Sequence, residues 1–357
     1  MMPRATDRRG PPRRLGVLFL APTLQGGGAE RVLLTILRHL DRSKFDLTLA
    51  VLDGRDPAYL AELPADVEFI DLKCRRVRYS VPSILHLVWK RRPHVVLSTI
   101  GSLNLGVALM KPLFPRGVRL IARQTVVVSE ILPFCKPPAL WRLAYRVLLR
   151  LFDRIVCQSS DMRRDLVENL GIPAEKTILI HNPVDLARVR RLSGEPIPPA
   201  GDDEWSEHDG LIRLVAIGRL DHQKGFDLLI QAIALCNDPR LRLTILGEGP
   251  LRFELESVAR DRGVASQVRL RGFQRNPYPF LRRAHALVLS SRFEGLPNVM
   301  LEALACGTPV IATPAAGGIR EVLQGRPGCV IADEISAPGL ASAIAGFPFE
   351  QIGRAHV

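Results

Sequence analysis

Six cysteines are spread through this chain of 357 residues, with no C-x-x-C pair and no histidine cluster at metal-ligand spacing. Neither a disulfide framework nor a zinc site is indicated, and a reducing compartment fits best. No uninterrupted apolar stretch reaches ~18 residues, so no membrane-spanning helix is expected. Aromatic residues are few, 6% of the chain, and they do not interleave with basic residues as a nucleic-acid platform would require. Acidic residues are in deficit as well: 36 Asp and Glu against 49 Lys and Arg leave a formal charge of +13. With nucleic acid set aside as a partner, that excess calls for another explanation.

What is present suffices for two globular bodies. The length suits two domains with a core each, and 47% hydrophobic with 24% charged residues is ordinary for a globular chain. Arg13-Arg14 followed by the apolar run 15–21 imitates a secretory signal peptide. A run of about seven residues is at the short limit for one, and the Gly-rich segment after it leads straight into an amphipathic helix over 30–40. Residues 15–21 are therefore read as the first strand and 1–14 as a disordered basic arm. Further strands are expected over 45–52, 67–72, 95–98, 118–122, 154–158 and 177–181. Helices are expected over 81–91, 140–152 and 161–170, and this alternation means a mostly parallel sheet. The stretch from Gly194 to Gly210, with Pro196, Pro198, Pro199 and an acidic cluster, reads as a linker. A second alternating series starts at Leu211. The expected division is 1–14 arm, 15–190 first domain, 191–210 linker, 211–346 second domain and 347–357 tail.

The most informative stretch is 284–318. A short apolar strand ends in Ser291-Arg292-Phe293-Glu294-Gly295, Pro297 sits at a first helical position, and an apolar helix follows until Gly307. Strand, Gly/Pro loop, helix and strand make half of a doubly wound nucleotide-binding sheet. Glu294 falls in the loop at the carboxyl end of the strand, where open α/β sheets place their ligands. Glu302 follows after seven intervening residues, with the free N–H groups of 295–299 between the two acids. Those amides and the helix dipole suit a diphosphate, and the carboxylates suit sugar hydroxyls. The same spacing also describes a helix with one Glu at its favoured end and one in solvent.

Each half opens with strand, Gly-bearing loop and helix. In the first half the loop is Gly26-Gly27-Gly28-Ala29-Glu30-Arg31, which lets backbone approach a ligand and leaves amides for an anion, or is a plain tight turn. In the second half it is Gly218-Arg219-Leu220-Asp221-His222-Gln223-Lys224-Gly225. Arg219 and Lys224 at a strand end either clamp a leaving diphosphate or form a solvated basic loop.

Taken together, GGGAERVL (26–33), HNPVD (181–185), GRLDHQKGFDLLIQA (218–232), LGEGPLR (246–252), RGF (271–273) and FEGLPNVMLEALACGTPVIA (293–312) resemble a known family. The chain is similar to retaining glycosyltransferases of family 4, in particular bacterial enzymes of lipid-linked oligosaccharide, O-antigen or capsule assembly. The resemblance implies an α/β GT-B fold: two facing Rossmann-like domains with mostly parallel sheets and an interdomain cleft. It implies that Glu294, Arg219 and Lys224 do the catalytic work. Glu302, Gly295, Leu296, Asn298, Val299, Gly218, Arg271 and Phe273 would bind the donor, and Gly27 and Gly28 would face the cleft on the acceptor side. A nucleotide-sugar would be the co-substrate, UDP- ahead of GDP-, with no metal or other cofactor; no D-x-D is present. Many members carry a His on the loop after the fifth strand. Here that loop reads Ala122-Arg123-Gln124-Thr125-Val126, so Arg123 or Gln124 takes its place or the site is organised differently. The implied acceptor is a glycan or a lipid-linked glycan. A nucleotide-sugar epimerase on the same scaffold and a catalytically silent binding fragment are the alternatives.

Arg142, Arg146, Arg150 and Arg154 recur every fourth residue beside Leu140, Trp141, Leu143, Val147, Leu148 and Leu151. Such a basic amphipathic helix either lies on anionic lipid or is a core-facing helix with an Arg-rich solvated side. With lipid-linked acceptors in view, the expectation is a cytoplasmic enzyme, peripheral on the inner face of the membrane. The residues Ile352-Gly353-Arg354-Ala355-His356-Val357 resemble translated adapter DNA, so a reading frame lacking one or two helices is expected.

Overall fold

Alternate side chains of a strand point to opposite faces, and in this chain both faces are apolar. Val17, Phe19 and Ala21 enter one hydrophobic cluster while Leu18 and Leu20 enter another. A strand buried on both sides belongs inside a parallel sheet covered by helices, and the computed structural model shows two such sheets. It describes residues 14–349 except 56, 199–204 and 206–209. The expected arm, apart from Arg14, and the residues 350–357 lie outside the described residues, as does half of the expected linker.

The first sheet has seven strands: β1 (Leu15–Ala21), β2 (Phe45–Val51), β3 (Glu68–Asp71), β4 (Val95–Thr99), β5 (Arg119–Arg123), β6 (Arg154–Cys157) and β7 (Thr177–Leu179). Its order is β3-β2-β1-β4-β5-β6-β7. The second has six: β8 (Ile212–Ile217), β9 (Leu241–Leu246), β10 (Val268–Gly272), β11 (Ala286–Leu289), β12 (Val310–Ala312) and β13 (Cys329–Ile331), in the order β10-β9-β8-β11-β12-β13. Every pairing is parallel. Strand order reverses between β1 and β4 and between β8 and β11. The crevices at those two points are where ligands of such sheets bind, and they face each other.

Two expected boundaries shift. The helix Leu186–Ser193 precedes the second sheet yet buries Val189 in the second domain's core, beside Tyr278, Leu281 and Met300. Trp205, within the expected linker, sits edge-on to Phe280 at 5.3 Å in the same cluster. The second body therefore starts before residue 191, because the apolar side of that helix has its partners there. At the other end, Phe347 is buried in the second core and lies 4.8 Å from Phe349, so packing continues beyond residue 346. Gly101–Met110 and Leu186–Ser193 are among the helices with no counterpart expected from the sequence. Gly101–Met110 is apolar nearly all round and buried on most sides, so it shows no amphipathic period.

Candidate functional site

After β11 the chain turns at Ser290 and reaches the helix Asn298–Ala305, with Pro297 extended as its N-cap rather than helical. The Glu294 amide donates to the Ala316 carbonyl, which ties the loop to the segment after β12. Glu294 is buried, and its Oε1 accepts Lys224 Nζ at 2.6 Å and Ser291 Oγ at 2.6 Å. A carboxylate this buried is tolerable because it is paired and hydrogen-bonded. Lys224 is delivered by the turn after β8, where Asp221 accepts the Lys224 amide. Gly218 makes room for it: a Cβ there would stand 3.1 Å from two carbons of the lysine stem. Gly225, at φ +61°, passes against the Ser290 carbonyl where any side chain would collide. Arg219 does not join this pair. Its side chain is 73% exposed, 4.0 Å from Asp221.

Glu302 lies midway along the same helix, buried, and its partner comes from the opposite domain. Arg31 Nη1 donates to both carboxylate oxygens at 2.8 and 2.9 Å, and Tyr278 Oη donates to Oε1 at 3.3 Å. Arg31 Nη2 donates to Tyr59 Oη at 2.8 Å, and the guanidinium stands 5.7 Å from the ring centres of both tyrosines. Burial opposes the charge on Arg31, yet Glu302 and the two phenols hold its pKa well above the ordinary value. Burial pushes both tyrosines up. Between the acids, residues 295–299 offer four N–H groups, since Pro297 has none; the helix leaves its first amides unbonded.

The glycine loop differs from the anion cradle that its sequence allowed. The amides of Gly26 and Gly27 donate to Glu30 Oε2 at 2.8 and 2.9 Å, closing a capping box, so they are not free for a ligand. The loop instead meets the second domain. The Gly28 carbonyl accepts Asn298 Nδ2 at 2.7 Å, and a Cβ on Gly26 would stand 2.8 Å from the Phe273 ring. Phe273 thus borders the cleft. Arg271 turns away from it, donating to the Pro198 carbonyl with its guanidinium 5.1 Å from the Phe280 ring centre.

Arg123 and Gln124 at the end of β5 are both buried. Arg123 Nη2 donates to Asn182 Oδ1 at 2.7 Å. Asn182 Nδ2 in turn donates to the Leu296 carbonyl at 3.1 Å and to Asn298 Oδ1 at 2.6 Å. Gln124 Oε1 accepts from Asn104 Nδ2 at 2.8 Å, and the Gln124 carbonyl from Gln158 Nε2 at 2.5 Å. Val299 packs half-buried against the second domain's core. Sequence reasoning missed Arg31, Tyr59, Tyr278 and Asn182; Arg31 and Asn182 lay within quoted motifs but carried no sign of their partners. Of the histidines near motifs, His181 Nε2 contacts Glu321 Oε1 at 2.6 Å across the cleft, and His222 stands 5.7 Å from Phe134.

On the first domain's outer side, the helix Pro138–Leu148 buries only Tyr145. Leu140, Leu143 and Val147 are 60%, 56% and 51% exposed, alongside exposed Arg142, Arg146, Arg150 and Arg154. Tyr145, Ala144 and Leu148 face the first core, and the outward face is apolar and basic at once. No helix among the described residues is long and apolar enough to cross a membrane. No group of three or more His, Cys, Asp or Glu among them is placed to hold a metal.

Two parallel sheets facing across a cleft, with a spaced pair of buried acids and a lysine at the strand ends, define a glycosyltransferase of the GT-B fold. The chain belongs to glycosyltransferase family 4: residues 26–188 match the family described as Glycosyltransferase Family 4, and residues 212–347 that described as Glycosyl transferases group 1. Among curated relatives, it is 27% identical over 328 residues to N-acetylgalactosamine-N,N'-diacetylbacillosaminyl-diphospho-undecaprenol 4-alpha-N-acetylgalactosaminyltransferase of Campylobacter jejuni, covering 87% of this chain and 83% of that protein. It is 39% identical over 131 residues to the lipopolysaccharide core biosynthesis glycosyltransferase LpsE of Rhizobium meliloti, 37% of this chain and 38% of LpsE. Among solved structures, Anabaena HepE in complex with UDP superposes with a TM-score of 0.67 at 18% identity, over 95% of this chain and 98% of HepE.

Proposed function

We propose that this chain transfers a hexose or N-acetylhexosamine from a nucleoside-diphosphate sugar, UDP- ahead of GDP-, to a glycan or lipid-linked glycan, with retention of configuration and without a metal. The observation that carries this reading is the pairing of Lys224 with the buried Glu294 at 2.6 Å, set at the strand ends with free helix amides beside it. Lys224 and Arg219 hold the diphosphate and offset the charge that develops as it leaves. Glu294 takes sugar hydroxyls through Oε2, which has no partner among the described residues. Glu302 takes the ribose hydroxyls. The acceptor oxygen attacks the anomeric carbon on the face from which the diphosphate departs. As the bond to the phosphate oxygen breaks, that oxygen takes the acceptor's proton, so no side chain serves as nucleophile. The lipid-linked acceptor of the Campylobacter relative supports the acceptor class. The apolar and basic outer helix supports a position on the cytoplasmic face of the membrane.

The test is a thermal-shift and donor-hydrolysis panel of UDP-, GDP- and ADP-sugars in EDTA. A shift with one nucleotide family that Lys224→Ala abolishes, together with turnover lowered about 10²–10³-fold, is the expected result. Activity that needs added divalent metal, or binding indifferent to Lys224, overturns it.

A further inference from the structure

Of the cations in the cleft walls, Lys224 and Arg31 are part-buried and each has a carboxylate. Lys224 has Glu294 and Arg31 has Glu302. Arg123 is only 5% exposed, and the side chains around it and its loop, Asn104, Gln124, Gln158 and Asn182, are all neutral amides. Its Nη2 is satisfied by Asn182, but its Nη1 is buried without a hydrogen-bond partner. Burial lowers the Arg123 pKa to about 10, and no acidic group counters it, so at neutral pH the side chain is still a cation. A buried charge lacking both a counter-ion and a full set of hydrogen bonds is unfavourable in the empty protein. It persists where a ligand supplies the missing charge.

The position says where such a ligand sits. Arg123 closes β5, and two residues on, the Thr125 carbonyl abuts Gly295, so tightly that a Cβ on Gly295 would run into it. Two hydrogen bonds, with Asn182 between them, link the guanidinium to Leu296 and Asn298, which lie between the two acids. We infer that Arg123 Nη1 is the receptor for a second oxyanion, distinct from the donor's diphosphate, carried into the cleft by the substrates: a carboxylate on the transferred sugar or a phosphate of the acceptor. The guanidinium is built for either, since its paired N–H groups match the spacing of carboxylate and phosphate oxygens. This inference rests on the donor-site reading above and refines the class of substrate it takes.

The experiment compares wild type, Arg123→Gln and Arg123→Lys for binding of UDP, UDP-glucose, UDP-glucuronate, and farnesyl diphosphate in the presence of saturating UDP. Lys224→Ala with UDP serves as the control on the donor site. The expected result is that Arg123→Gln leaves UDP and UDP-glucose unchanged. It weakens either UDP-glucuronate or farnesyl diphosphate about 10–100-fold, as loss of a charged hydrogen bond does, and Arg123→Lys recovers part of the loss. The ligand affected identifies the source of the oxyanion. Equal binding of all four ligands by wild type and a folded Arg123→Gln overturns the inference. So does a loss of UDP itself, which would make Arg123 part of the diphosphate site. If Lys224→Ala leaves UDP binding intact, it is the donor-site reading that fails, whatever Arg123 does. Should Arg123→Gln not fold, the Arg123→Lys series alone decides, by weakening one anionic ligand selectively or none.

Discussion

At the scale of single residues, this site is governed by how closely backbone can approach backbone. Gly295 is the sharpest case, because its missing side chain is what allows the Glu294 loop to lie on the Thr125 carbonyl of the opposite domain. Gly295→Ala should leave each domain folded and force the cleft open, since relieving such overpacking by separating two bodies is easier than deforming either. Transfer activity should fall more than 10-fold, on the order of the loss expected for small misplacements of a reacting pair, while the thermal midpoint moves little. Full activity in Gly295→Ala would show that the closed arrangement is not the working one. Lys224 and Glu294 were legible in the sequence because each stands in a loop at a strand's carboxyl end, beside glycines. Arg31 was not. Its contact with Glu302 spans 271 positions and crosses from one domain to the other, and neither residue's neighbours hint at it.

At the scale of elements, the helix Pro138–Leu148 shows what a sequence pattern can and cannot say. The four-residue recurrence of arginine was visible, but which apolar residues turn inward was not. Within that helix Tyr145 is buried and Ala144 and Leu148 pack half-buried against the first core, with Leu149 buried just after it. Leu140, Leu143 and Val147 are left beside the arginines, a face suited to the boundary of an anionic bilayer. Wild type should float with vesicles containing phosphatidylglycerol and release as salt is raised, because the attraction is screened. Arg142→Glu with Arg146→Glu should abolish flotation, and Leu143→Ser with Val147→Ser should weaken it at low salt. Recovery of the protein in the lipid-free fraction under all conditions would remove the membrane from the account. The helix Gly101–Met110 illustrates the opposite limit. It is too uniformly apolar to display a period, so only its packing, such as Val77 against Gly106, identifies it.

At the scale of the whole molecule, the two domains are joined by apolar contacts, such as Phe134 with Phe293 at 5.9 Å and Ala316 on the first core, and by polar ones. Arg31–Glu302 is one, and Arg188 with Glu62 at 2.8 Å is another. Because Glu302 is the proposed ribose ligand, Arg31 holds the empty cleft shut by occupying that carboxylate. Arg31→Ala should therefore enlarge the radius of gyration of the empty protein in solution scattering, and leave UDP affinity unchanged or tighter. A UDP affinity more than 10-fold weaker in a folded Arg31→Ala would instead make Arg31 a nucleotide ligand. A third contact titrates. Glu321 accepts the Ser160 amide at 2.7 Å and touches His181. Partial burial raises its pKa, but those bonds prevail and hold it below its ordinary value of 4.5. A carboxyl depressed in the folded state contributes stability that is complete above the unfolded value and is lost as pH falls through the folded one. Acidification from pH 4.5 downward, through the depressed folded value, should thus loosen the domains, and Glu321→Gln should flatten that part of the profile of thermal midpoint against pH. Identical profiles for the two proteins would assign the acid sensitivity elsewhere.

The sequence by itself determined the alternation of strands and helices, the parallel sheets, the loops that carry Lys224 and Glu294 and the helix that carries Glu302. Each of these follows from local periodicity and from residues that stop or start an element, which act within a few positions of themselves. Only the tertiary structure decided that the glycine-loop amides are closed by Glu30, that Arg31 reaches Glu302, that Arg271 leaves the cleft for the linker, and that Arg123 is buried with a donor unmet. Those outcomes depend on how two separately formed sheets face each other. That arrangement is set by pairings across the cleft between residues remote in the chain, and no stretch of the chain contains both partners.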